Sequence, residues 1–438
     1  MTVVNKATDN TQSIKTITEK IRAGDLGAIE IIEDTRQVIS DIDGGVNAWQ
    51  SLDWDKVNRQ VDLLISRPNW RSLPLAAVPI AVKDLYDTAD FVTTYGSEIY
   101  KEHMPAADAG LVSIMRALGA IIIGKAVTTE FAFWQAGPTV NPYDHSRTPG
   151  GSSSGSAAAV ATGMVPLALG SQTAASTIRP ASYCGIVGFK PSLGLLPLDG
   201  VKALAPSLDT AGLFTRSITD MIMVFNAIIA KGAIGQGPLN SVSKPLSELV
   251  LSKLAGTWEK QVEPACLETV DLCHTLATAK GCKTAKTIEF KNFDRLTDDQ
   301  IALMAAEASN SFDFEWQTAH GKLSDHIKRL ISDGQQLTAE SRTRFEETQK
   351  TIEQFEKNLF GQSDILICPS TLDTAPELAD GTGSPLMSRA FTLLGLPSLS
   401  LPYGLADNGL PLGVQVVARR GSDLSLLLFA EKYLDKGP

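Results

Sequence analysis

Two serine clusters carry the chemical potential of this chain. Gly150-Gly151-Ser152-Ser153-Ser154-Gly155-Ser156 and Thr173-Ala174-Ala175-Ser176 are separated by an apolar segment, Ala157 to Leu169. Small residues let backbone N–H groups come close to a ligand and point at it. A hydroxyl among them can act as a nucleophile while the neighbouring N–H groups hold an oxyanion. Upstream, Ile80-Ala81-Val82 reads as a buried strand that ends at Lys83. Desolvation lowers the pKa of a lysine in such a place and makes it a candidate base. Two other readings of the glycine–serine run are weaker. A flexible linker would be flanked by polar sequence, whereas this run leads at once into Ala157-Ala158-Ala159-Val160-Ala161, a packable helix start that Ser154 or Ser156 could cap. A phosphate cradle would need GxxxxGK[ST], which the chain lacks; the nearest downstream lysine is Lys190.

From Gly150 to Pro191, with Lys83 upstream, the chain resembles the amidase signature family of serine hydrolases, whose pattern reads roughly GGSSxGS…G(T/S)xTxGSxxRPAxxCGxxGxKP. Further matching stretches are Thr94-Tyr95-Gly96-Ser97, Gly124-Lys125, Cys368-Pro369-Ser370, Gly395-Leu396-Pro397 and Gly409 to Gln415. The resemblance implies a single-domain α/β fold over residues 1–438, a twisted mixed β-sheet sandwiched between layers of helices. The signature core would span about 75–200. It also implies a Ser–cis-Ser–Lys triad: Ser176 as acyl-forming nucleophile, Ser152 as bridging serine on a cis peptide bond, and Lys83 as base. Backbone N–H groups of Thr173, Ala174, Ala175 and Ser176 would form the oxyanion hole. The implied reaction is hydrolysis of a carboxamide or related acyl–nitrogen bond. The alternatives are carbamate or ester hydrolysis, the role of an amidotransferase A-type subunit, or a non-catalytic binding protein. The substrate would be a small amide or carbamate; no metal or organic cofactor is implied, and a homodimer is compatible. Phe131, Phe133, Trp134 and Ser153 are candidate substrate-lining residues. Asp84 is a candidate orienting partner for Lys83. Arg179 is expected to pair with an internal acid, a substrate carboxylate being the alternative.

Two positions depart from the pattern. Gln172 stands where many members carry an acid, which weakens any carry-over from the A-type subunits of tRNA-dependent amidotransferases. Ala175 stands where glycine is usual. If that position needs a positive φ, alanine is strained there by about 1 kcal/mol; if not, its methyl only narrows the site.

Composition narrows the partners. The chain has 438 residues, 43% of them hydrophobic and 20% charged, enough to bury a large core. A net charge of −10 argues against nucleic acid or an acidic membrane as a general partner. Cys184, Cys266, Cys273, Cys282 and Cys368 show no metal spacing, and an odd count fits a reducing, cytoplasmic setting better than a disulfide framework. Cys184 sits in an apolar run and reads as a buried core residue. The five histidines form no HxxxH pair, so a zinc site is not expected. The first fifteen residues contain no apolar core of a signal peptide, and no segment reaches membrane-spanning length.

The elements that position the serines follow from periodicity. Ile14, Ile17 and Ile21 predict a helix ended by Gly24-Asp25, and a second helix covers Gly27 to Ser40. Further helices are expected near Val57 to Ile65 and Gly110 to Leu118, the latter capped by Asp108. Strands are expected at Ala120 to Gly124, Gly185 to Phe189, Ile365 to Ile367, Pro397 to Pro402 and Val414 to Val417. Residues 232–296 read as a variable, inserted region, and 297–358 as a solvated helical layer. Helices alternating with short apolar strands indicate a helix-covered α/β sheet.

Overall fold

The computed structural model describes residues 12–232, 235–240 and 244–436. Twelve strands among these residues join in one mixed sheet. They are β1 (Trp49–Leu52), β2 (Pro79–Lys83), β3 (Ile121–Ala126), β4 (Leu167–Gln172), β5 (Val187–Lys190), β6 (Thr210–Thr215), β7 (Val250–Ala255), β8 (Lys283–Thr284), β9 (Ile288–Glu289), β10 (Ile365–Pro369), β11 (Ser398–Leu405) and β12 (Pro411–Ala418). The order across the sheet is β1-β3-β2-β4-β6-β5-β11-β12-β10-β7-β8, with β9 on β7. Every residue of β2, β3, β4, β5, β6, β10 and β12 is buried. Such strands need cover on both faces, which is why they read as continuous apolar runs and not as alternating ones. Residues 250–255, within the weakly patterned region, supply β7 to this same sheet through parallel pairing with β10.

Parallel pairing of β2 with β4 places Val82 beside Leu169. Lys83 and the Gly170-Ser171-Gln172 end of β4 therefore leave neighbouring strands at the same end. Parallel strands align their C-termini, so chemistry gathered there is drawn from distant parts of the sequence.

The helices follow the expected pattern with informative shifts. Ile14–Ala23 ends at Gly24, whose φ of +87° closes the helix in the left-handed region. The next helix, Ala28–Val46, runs past the expected end at Ser40, through Gly44-Gly45, because buried Val46 gives its last turn an apolar contact. Asp108 does not cap the Gly110–Ala117 helix: Ala109 occupies the cap, and Asp108 accepts instead from Ala89 N and Arg116 Nε, both at 2.9 Å. The polar stretch from 297 onward forms Phe293–Ser311, Asp313–Ala319, Asp325–Gln335, Ala339–Lys350 and Ile352–Phe360, of which the first buries one whole face. No helix among the described residues is long and apolar enough to cross a membrane.

Asp84 and Lys125 form a fully buried ion pair at 3.2 Å beside the ends of β2 and β3. Lys125 Nζ also donates to Tyr86 O at 2.6 Å, and Asp84 accepts from Thr94 N at 3.0 Å. Removing one partner strands a buried charge. Lys125→Met is expected to lower the unfolding free energy by about 3–5 kcal/mol in urea titrations; a loss below about 1 kcal/mol would show that the pair does not pin this corner.

Candidate active site

Lys83 is fully buried, with Nζ 2.6 Å from Ser152 Oγ and 2.8 Å from Ser171 Oγ. Burial pushes its pKa well below the ordinary lysine value; the charge of Asp209 opposes that shift and the charge of Arg179 adds to it. Asp84 does not orient Lys83. Adjacent residues of an extended chain face opposite ways, so Asp84 turns to Lys125 while Lys83 turns to the serines.

Ser152 is joined to Gly151 by a cis peptide bond. The expected acid partner of Arg179 is absent among the described residues; its guanidinium donates to two backbone carbonyls, Gly151 O at 2.7 Å and Gly383 O. The helix that follows, Ser154–Ala161, starts against β3. A Cβ on Gly155 would lie 2.1 Å from Ala48 O and 2.4 Å from Val127 N, so glycine alone permits this seat. Neither Ser154 nor Ser156 caps the helix: Ser153 occupies the cap without a capping hydrogen bond, Ser154 Oγ donates to Val127 O at 3.3 Å, and Ser156 Oγ donates to Leu169 O at 2.8 Å. Ser153 Oγ donates to Ser171 O at 3.2 Å and accepts from Ser171 N at 3.3 Å. That residue is fully buried and laces the loop to β4 instead of lining the substrate space.

The loop carrying Ser176 is held from behind. Gln300 Nε2 donates to Thr173 O at 2.9 Å, Thr392 Oγ1 donates to Ala174 O at 2.8 Å, and Arg179 N donates to Ala175 O at 2.9 Å. In a trans peptide the N–H points opposite to the carbonyl. Drawing these three carbonyls outward turns the N–H groups of Ala174, Ala175 and Ser176 the other way, and none of the three has a hydrogen-bond acceptor among the described residues. Gln172 ties the system together: Oε1 accepts from Thr177 N at 2.9 Å and Ile178 N at 3.1 Å, and Nε2 donates to Thr392 Oγ1 at 3.0 Å. Thr173 contributes from outside this set, its hydroxyl donating to Asp209. Burial raises the Asp209 carboxyl to about 6, while Thr173, Leu204 N and Ala205 N stabilise its charged form.

Ser152 and Ser176 line one narrow cavity of about 30 Å³ with Phe133, Trp134, Arg179 and Arg389. Phe133, Trp134, Met304 and Arg389 also line an apolar groove of about 570 Å³ that adjoins it. On the other side Thr173, Ala132 and Leu204 adjoin a space of about 200 Å³ that contains Ser171 and Asp209. Phe131 is a core residue, its ring 5.0 Å from that of Phe312. The backbone of Phe131, Ala132 and Trp134 takes φ of +48°, +64° and +39°, left-handed values that cost non-glycine residues on the order of 1 kcal/mol each. Such strain concentrates where a site fixes the chain. A separate cavity of about 540 Å³, around Glu263, Asp373 and Lys436, shares no residue with the serines. Cys184 is fully buried, and burial pushes its thiol up, away from a nucleophile's range.

The family model described as Amidase matches residues 30–427. The chain belongs to this family. The A-type subunit of the glutamyl-tRNA(Gln) amidotransferase of Symbiobacterium thermophilum is 30% identical over 466 residues, covering 94% of each chain. A solved structure of a vestigial protein complex that reveals the evolutionary origins of an s-triazine catabolic enzyme superposes with a TM-score of 0.86 at 26% identity, over 97% of this chain and 98% of the other. The structure of 6-aminohexanoate cyclic dimer hydrolase superposes with a TM-score of 0.82 at 23% identity, covering 96% of both, which shows likeness of fold alone.

Within this family site, five residues escaped the sequence reading. Ser171 had a usable signal: it is the penultimate residue of β4, the strand beside β2. Asp209, Gln300, Arg389 and Thr392 had none: Asp209, Gln300 and Thr392 reach the loop segment from 36 to 220 residues away, Arg389 bonds to Gln300, and none carries a local pattern. The departures from the family pattern also acquire reasons. At position 172 a glutamine both accepts from two N–H groups and donates to Thr392, which a carboxylate cannot do. Ala175 is buried, and its φ is not positive. The strain considered for it is therefore absent, and its methyl is not among the groups lining the cavity. Ala175→Gly is accordingly expected to change kcat by less than about threefold, under 0.7 kcal/mol of barrier. Gln172→Ala, which frees the loop at three points, is expected to lower kcat by about 100-fold. Steady-state kinetics of the two variants decide: a larger effect at Ala175 than at Gln172 would overturn this account of the loop.

Proposed function

We propose that the protein is a serine amidohydrolase that cleaves a carboxamide or related acyl–nitrogen bond, with Ser176 as nucleophile, Ser152 as bridge and Lys83 as base. The observation that carries this reading is the fully buried Lys83 amine between two hydroxyls, 2.6 Å from Ser152. An ammonium there would lack both water and a contacting carboxylate. A neutral amine can accept the Ser152 proton and donate to Ser171.

The reaction follows from those proton affinities. Ser152 and Ser176 share the cavity with no hydrogen bond between them among the described residues, so the relay closes when Ser176 turns toward Ser152. Ser176 Oγ attacks the carbonyl carbon; its proton passes to Ser152 Oγ as the Ser152 proton passes to Lys83 Nζ. The carbonyl oxygen becomes an oxyanion facing the N–H groups of Ala174, Ala175 and Ser176. One such donor is typically worth about 2.7–4 kcal/mol. The C–N bond then breaks and the proton returns through Ser152 to the departing nitrogen, leaving an ester on Ser176. Water attacks that ester by the same relay and releases a carboxylate. The same chemistry accepts carbamates and esters.

A second reading, an amidotransferase component, is favoured by the likeness to the A-type subunit of glutamyl-tRNA(Gln) amidotransferase. Such a component would pass ammonia to a partner protein. Amide hydrolysis at full rate by the isolated chain supports the first reading; turnover that rises only with a co-purifying partner supports the second.

A fluorophosphonate probe is expected to label Ser176, as read by peptide mapping. Ser176→Ala should abolish labelling and lower turnover by about 10⁴-fold or more, with the fold intact by circular dichroism. Label on another residue would overturn the nucleophile assignment.

Activity is expected to rise with pH. The productive form has Lys83 neutral, and burial places its pKa well below 10.5. In kcat/KM the ascending limb should therefore have its midpoint below that value and disappear in Lys83→Ala along with activity. A flat profile, with chemistry rate-limiting, would count against a lysine base.

A further inference from the structure

The cavity that holds Ser152 and Ser176 is also lined by two arginines, Arg179 and Arg389. Away from this cavity the inward-facing cations are engaged: Lys83 lies between two hydroxyls, Lys190 and Arg216 donate to backbone carbonyls, and others meet a carboxylate. Lys125 meets Asp84 at 3.2 Å, and Arg116 meets Asp90 at 2.8 Å and Asp108 at 2.9 Å. Neither Arg179 nor Arg389 has a carboxylate within ion-pair distance among the described residues. Arg179 spends its two terminal nitrogens on Gly151 O and Gly383 O, and its Nε is buried without a partner. Arg389, on the Leu386–Leu393 helix, makes one side-chain bond, from Nη1 to Gln300 Oε1.

The surroundings do not supply the missing charge. Burial lowers the Arg389 guanidinium to about 10, with the like charge of Arg179 acting in the same direction, and no acid offsets either effect. Asp209 opens into the neighbouring space and is occupied by Thr173 and two backbone N–H groups. Asp298 and Asp333 line the outer groove, are exposed, and share it with His326 and Arg329. A partly dehydrated guanidinium is stabilised most by a planar oxyanion that takes two of its N–H groups at once. Two such cations facing one cavity, with no internal anion, leave that role to the ligand.

Building on the amidohydrolase reading, we propose that the substrate is an amide that carries a carboxylate, and that Arg389 binds this carboxylate beside the charge of Arg179. Arg389 and the serines line one cavity of about 30 Å³, so few bonds separate the carboxylate from the scissile carbonyl. Monoamides of short dicarboxylic acids have this form. The arginine also lines the adjoining apolar groove, which can take the remainder of a larger substrate. Gln300 links the two functions: it holds Arg389 through Oε1 and the oxyanion loop through Nε2.

The test has two arms. In the first, kcat/KM is measured for succinamate and glutaramate and for their methyl esters, which remove the charge but keep the amide. The expected ratio of carboxylate to ester is about 100-fold or more, falling by about that factor in Arg389→Gln and partly restored in Arg389→Lys. An equal or better rate on the neutral esters, or a ratio unchanged in Arg389→Gln, would overturn the proposal. The second arm does not depend on turnover: succinamate and glutaramate are titrated calorimetrically into Ser176→Ala with and without Arg389→Gln. Binding that requires Arg389 supports the anion site even if fluorophosphonate fails to label Ser176 and the amidohydrolase reading falls. Binding of neither compound, or binding indifferent to Arg389, overturns the anion site while leaving that reading intact.

Discussion

A lysine amine held without water at the end of β2 is the constraint around which the rest of the site is organised. At the surface it would be an ammonium, with no capacity to accept a proton at neutral pH. Burial pushes its pKa well below the ordinary lysine value, and each neighbouring element maintains the burial. β3 and β4 flank β2 in parallel, the serine loop folds over the strand end, and Ser152 and Ser171 give the amine two hydroxyl neighbours in place of a counter-ion. Asp84, one residue further, carries the ion pair that Lys83 lacks. The contrast between the two buried lysines is one of surroundings: Lys125 meets a carboxylate, whereas Lys83 meets only hydroxyls and its pKa is lowered by burial.

A second layer converts this position into directed chemistry. Gln172 holds Thr392 and the N–H groups of Thr177 and Ile178, while Gln300 and Thr392 take the carbonyls of Thr173 and Ala174 and turn the following N–H groups the opposite way. Such groups stabilise developing charge without reorganising at the moment of reaction, which is the main source of electrostatic catalysis. Because Gln300 also holds Arg389, the oxyanion loop and the cationic wall of the cavity share one support on the Phe293–Ser311 helix.

The sequence disclosed those parts that are written locally. The run Ile80-Ala81-Val82-Lys83 marks a buried strand with a charge at its end. Helices showed through 3.6-residue periodicity, though Ala28–Val46 overran its expected end once tertiary contact outweighed two glycines. Caps at Asp108, Ser154 and Ser156 were misread because each side chain had a better partner across space than along the chain. Ser153 was misread for the same reason, since its hydroxyl closes on β4. Arg389 and Gln300, on helices, and Asp209, just before β6, were illegible: none carries a mark of the neighbour that it will meet after the sheet has closed.

The protonation state of Lys83 can be observed directly. Protein labelled with ¹³Cε-lysine is titrated by NMR, with Lys83→Met used to assign the signal. The account predicts a Lys83 resonance that titrates well below 10.5, the ordinary lysine value, and that reports a neutral amine at the pH of full activity. A Lys83 resonance that remains that of an ammonium up to pH 10.5 would contradict it.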